Sequence, residues 1–148
     1  MKKYFVIILI IAGLVYVGAR HSNNKSPHST LSNSEISSSD RLLKDAFNNK
    51  ESNIQVSGSG RVIRILPDDN EGSRHQEFIF ELGSGQTLLI AHNIDIAPTI
   101  NPLQKWDKID FYGEYEWNDK GGVVHWTHHD PDGRHEDGWL KHDGRTYQ

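Results

Sequence analysis

The chain has 148 residues, with 16 Lys and Arg against 20 Asp and Glu, nine His and no Cys. That length holds one small domain plus extensions, and the missing cysteines exclude disulfides, thiolate zinc sites, a thiol nucleophile and a lipid-modified amino-terminal cysteine. The net charge of −4 hides an asymmetry, since residues 1–52 carry seven basic and four acidic side chains and residues 53–148 carry nine and sixteen.

Lys2 and Lys3 precede an apolar run from Tyr4 to Ala19, and Arg20 comes directly after it. This is the pattern of an export signal. The run is shorter than the roughly 20 residues of a full membrane span, so residues 1–19 serve either as a signal peptide cut after Val17 and Ala19 or as an inner-membrane anchor. Either way the positive-inside rule sends the chain beyond Ala19 out of the cytoplasm, to the periplasm or the cell exterior. Residues 20–39, rich in Ser and Asn, have too few apolar side chains to order themselves and read as a disordered tether with a span of about 25 Å. The tether leads into a domain over residues 40–148.

Ser39 or Asp40 can cap a helix to about Asn49, with Leu42, Leu43, Ala46 and Phe47 on one side. Beyond Asn53 the pattern turns to β. Residues 54–66 form one long strand, where Gly58 and Gly60 suggest a bulge or bend. "HQEFIFEL" alternates, turns at "GSG" and continues as "QTLLIAHNI", a hairpin. The Pro-containing "DIAPTINPLQ" leads to the alternating "WDKIDFYGEYEW", and "NDKGG" turns the chain into a last strand, "VVHWTHH". Mainly β, with five strands and one short helix, this matches an OB-fold-like Greek-key barrel, with an SH3-like barrel as the alternative.

The strings "GSGRVIRILPDDNEGSRHQEFIFEL", "GQTLLIAHNIDIAP", "FYGEYEWNDKGGVVHWTHHDPDGRH" and "DGWLKHDGRTYQ" resemble a family of small exported bacterial proteins, domain-of-unknown-function family thirty-four sixty-five. The resemblance covers about Leu42 to Gln148 and implies no catalytic assignment. A looser similarity is to small periplasmic OB-fold proteins, which share an export signal, a short helix and a barrel of this size.

Barrels of this kind often bind oligonucleotides, but a phosphate backbone is held by clustered Lys and Arg, and here acidic residues outnumber them; nucleic acid is disfavoured. The acidity serves solubility or attracts cations. Five of the nine histidines lie between Gly121 and His142. "HWTHH" has the spacing of a zinc-binding helix, yet Gly121, Gly122, the β-branched residues and Asp130-Pro131 point to a strand ending in a turn. On a regular strand His125 and His129 stand about 13 Å apart and His128 faces the other way, so these three cannot chelate one ion. A divalent transition metal such as zinc then needs a turn near His128 that brings His129 or His135 towards His75 or His92, with Asp130 or Asp132 supplying oxygen. The "PDDNEG" loop, Asp68 to Glu71, is wrongly spaced for a helix-loop-helix calcium site and reads as a solvated turn. No nucleophile elbow, zinc-protease pair or P-loop is present.

These residues support three readings. The first is a binding module for a small ligand or envelope protein, with His92, His125, Trp126, His128, His129 and His135 lining its face. The second is a metal-dependent hydrolase, for example a phosphodiesterase, in which His75, His92, His129, Asp130 and His135 hold the ion and Arg74 or Arg134 neutralises developing charge. The third is an envelope structural protein.

Overall fold

A computed structural model describes residues 37–148. The leader expected over residues 1–19, and the tether up to residue 36, lie outside the described residues. Among the described residues no helix is long and apolar enough to cross a membrane.

Helix α1 spans Ser38–Asn49 and is capped by Ser37 rather than by Ser39 or Asp40. The Ser37 hydroxyl accepts the Asp40 N–H at 3.0 Å and donates to the Asp40 carboxylate at 2.8 Å. This exchange satisfies one of the orphan donors of the first turn. Left-handed Lys50 ends the helix. Of the expected apolar stripe, Leu43 and Ala46 are buried in the core while Leu42 stays exposed.

Seven strands complete the domain: β1 (Ile54–Ile65), β2 (His75–Leu82), β3 (Thr87–Asn93), β4 (Lys108–Glu116), β5 (Val123–His125), β6 (Trp139–His142) and β7 (Arg145–Tyr147). The neighbours run β1-β2-β3-β5-β4, and β4 returns to β1. The five close into a barrel of OB-like topology, antiparallel except for the β3–β5 pair. Closure rests on the length of β1, which pairs with β4 over Ile54–Arg61 and with β2 over Gly60–Ile65. A Cβ on Gly58 would lie 2.6 Å from the Phe111 ring, and one on Gly60 2.7 Å from the Phe80 ring. The two glycines thus let the strand press onto rings that meet edge to face at 5.6 Å in the barrel centre. The register shift falls at Val62–Arg64, past the glycines.

Alternation along β2, β3 and β4 sends Phe78, Phe80, Leu88, Ile90, Ile109, Phe111 and Tyr115 inward. The last barrel strand is shorter than "VVHWTHH". β5 stops at His125, because Trp126 takes a left-handed φ of 50° and swings Thr127 into the interior, where it is fully buried. The regular strand on which His125, His128 and His129 stood apart therefore does not exist. The tail forms the β6–β7 hairpin around Asp143-Gly144, both at positive φ. It docks through β6 on the same edge of β4 that β5 uses further along.

Candidate functional site

The outward face of β2, β3, β5 and β4 collects the ionisable side chains. Register sets Glu77 opposite Ala91 and His75 opposite Asn93. It sets His125 opposite Glu114 and Val123 opposite Glu116. The parallel pair Ile90–Val124 places Ala91 and His125 side by side one residue further on. Alanine is short, so the sheet is hollow there. Two adjoining cavities of about 200 and 250 Å³ share His75, Ala91 and His125; Asn93, Trp126 and His128 line the first, and Asp69, Glu77 and Glu116 the second. Among the described residues no Lys or Arg lines either one. A larger hollow of about 390 Å³ between Arg61, Glu81 and Lys108 carries neither histidine nor aromatic ring.

Burial, reinforced by Asp69 and Asp68 against the opposing pull of His75, raises the pKa of Glu77. Negative charge is thus crowded on this face. His125 Nε2 stands 3.4 Å from one oxygen of Glu114, yet this buried nitrogen makes no hydrogen bond. Burial lowers the His125 pKa against the pull of Glu114 and Glu116. The other Glu114 oxygen meets His135 Nε2 at 2.8 Å, while His135 Nδ1 donates to the Glu136 carbonyl at 2.8 Å. An acceptor at each nitrogen favours the protonated form of the ring. Burial works against this, but the bonds to Glu114 and the Glu136 carbonyl outweigh it and raise the pKa. The same ring stacks on Trp126, centroids 4.1 Å apart and planes 8° from parallel.

The turn after β5 is built by two aspartates. Asp130 accepts the N–H groups of Asp132, Arg134 and His135 at 3.0, 2.6 and 2.7 Å. These bonds, that of His135 first, hold its carboxyl below the usual range. Asp137 accepts the Asp130 N–H at 2.7 Å and pairs with His129 at 2.9 Å.

His125, Trp126, His128 and His135 therefore meet on one face, with His75 across the cavity. The other expected site residues go elsewhere. His92 points into the barrel, with Nε2 donating to the Pro98 carbonyl at 3.2 Å and Nδ1 accepting from the Thr127 hydroxyl at 2.8 Å. Both nitrogens are occupied, and the ring is neither a ligand for an outer metal nor part of the outer lining. His129 sits on the exposed turn, and Asp130 is committed to backbone donors, so the set His75, His92, His129, Asp130 and His135 does not converge. Arg74 pairs with Asp95 at 2.7 Å and Arg134 with Asp132, which takes both expected charge clamps away from the face. His142, itself buried, pairs with the half-buried Asp107 at 2.9 Å and lines neither cavity. The sequence pattern did not single out Glu114 and Glu116. Among the described residues these two and His125 each offer a ligand atom within 4.8 Å of the others.

A closed barrel with these strand neighbours and a polar hollow across its outer strands defines a small OB-like β-barrel domain. The chain belongs to the family described as protein of unknown function (DUF3465), whose model matches residues 27–148. No curated protein matches the chain significantly.

Proposed function

We propose that the protein is an extracytoplasmic binding module, secreted or held at the membrane by its amino-terminal segment, whose ligand face is the hollow between His75, Ala91, His125 and Trp126. The observation that carries this reading is the composition of the hollow. Asp69, Glu77 and Glu116 border it, His75, His125 and His128 join Ser73 and Asn93 as its other polar groups, and no Lys or Arg lines it among the described residues. A concave site with crowded carboxylates and an indole at its wall suits a cationic ligand, attracted by the field of the carboxylates and by the aromatic quadrupole. OB-like barrels present ligands on outer strands and adjoining loops, which agrees with this choice of face. The export pattern of Lys2 to Arg20 supports the location.

Spermidine, a polyamine that carries several positive charges near neutral pH, probes the reading. Titrated into isotopically labelled protein, it is expected to move the amide signals of His75, Ala91, Asn93 and His125, and the shifts should shrink as salt is raised. Shifts confined to other surfaces, or none at low salt, would overturn it.

A further inference from the structure

We infer that Glu114, Glu116 and His125 form a binding site for a divalent transition-metal ion of zinc's class on this outer face. The inference deepens the reading of the hollow as a cation-binding face and rests on it.

The strand pairing supplies the geometry. Glu114 and Glu116 are two residues apart on β4 and so point the same way, and His125 is the cross-strand partner of Glu114. Their ligand atoms lie within 4.8 Å of one another. The separation of 3.4 Å between His125 Nε2 and the nearer Glu114 oxygen matches the edge of a tetrahedron whose metal bonds are about 2.0 to 2.2 Å, an edge of about 3.4 Å. His125 Nε2 is buried and lacks a hydrogen-bond partner. An ion between it and the carboxylates supplies the missing partner.

The surroundings have the form of a ligand-orienting shell. His135 holds the second oxygen of Glu114 through Nε2, its Nδ1 is fixed by the Glu136 carbonyl, and its ring is stacked on Trp126. A ligating carboxylate is steadied by this kind of outer hydrogen bond. His135 is thus a positioning residue, acting on the ion through Glu114. One imidazole nitrogen with two carboxylates favours zinc and its neighbours over magnesium or calcium, which take all-oxygen sets. Three protein donors leave a coordination position for water or for a donor atom of the ligand.

Untagged full-length protein, stripped with a chelator, is titrated with Co²⁺, followed by the visible d–d absorption of the ion, and then competed with Zn²⁺. One equivalent of cobalt should bind and be displaced by zinc. Glu116→Gln and His125→Ala should each abolish the band, while His135→Gln keeps it with affinity weakened by about 10-fold or more. Should His125→Ala fail to fold, the isosteric Glu116→Gln decides. A full band in Glu116→Gln, or no band in the parent protein, overturns the assignment. Spermidine shifts at His75 and Ala91 that persist in stripped protein showing no cobalt band leave the binding face standing and remove only the metal; loss of both removes both.

Discussion

The His92 ring sits in the barrel with a hydrogen bond at each nitrogen, and a proton added there places a charge where water cannot reach it. Burial is the largest cause that pushes its pKa down, from 6.5 to about 4, with smaller pushes from His128 and His75 and opposing pulls from the Pro98 carbonyl and Thr127. Because the folded value lies below the unfolded one, the unfolded chain binds this proton at higher pH. Stability is therefore full above about pH 6.5, declines as pH falls through the window down to about 4, and is lower by about 3 kcal/mol beneath it. Thermal unfolding followed from pH 8 to pH 4 should show the melting temperature dropping across that window. His92→Gln, which cannot titrate, should melt lower at pH 8 and lose most of the slope. An equal slope in the variant would assign the acid sensitivity to another group.

The segment from Trp126 to Gly138 converts a strand end into a wall of the proposed binding face, and Asp130 is its organiser. With three N–H groups directed at one carboxylate, Asp130→Ala leaves the turn without its acceptors. Amide exchange at Asp132, Arg134 and His135 should accelerate by about 10-fold or more, with little change in the β2 and β3 amides. Unaltered exchange at those three positions would show that the turn is held by something else. This element also marks where sequence reading succeeds and where it stops. Alternation in "HQEFIFEL" and "WDKIDFYGEYEW" identifies inward and outward residues of β2 and β4, because strand periodicity is a local property. The reversal at Trp126 is not local. A Cβ at Gly138 would collide with the carbonyls of Trp126 and Tyr112, so the bend depends on a glycine twelve residues downstream and on a neighbouring strand. In isolation Val123 to Thr127 is β-branched and aromatic and reads as a continuous strand. Glu114 and Glu116 were legible as outward residues of β4. Their meeting with His125 depends on the antiparallel register of β4 with β5, which alternation within one strand cannot supply.

At the scale of the molecule the barrel is fastened at one end by α1. The Asp40 carboxylate accepts the Ser84 N–H at 2.8 Å, Gln86 donates to the Leu43 carbonyl at 3.4 Å, and the Trp117 indole donates to the Phe47 carbonyl at 3.1 Å. These bonds tie the helix to the β2–β3 turn and to the chain leaving β4, while Leu43 and Ala46 add their side chains to the core. The hollow between His75 and Trp126 begins at the opposite ends of β2 and β3, on the outer side of the sheet. The supporting helix and the proposed binding face thus lie at separate parts of one closed sheet. Leu43→Ala tests this division. Leu43 is fully buried, so truncation should cost about 2 to 5 kcal/mol through lost transfer energy and the cavity left behind. Urea unfolding measures that cost as a lower midpoint at unchanged slope. Under conditions where the variant remains folded, its spermidine and cobalt titrations should match those of the parent protein. A loss of affinity in the folded variant would instead mean that the helix sets the curvature of the outer strands, and that the binding face depends on the far end of the barrel.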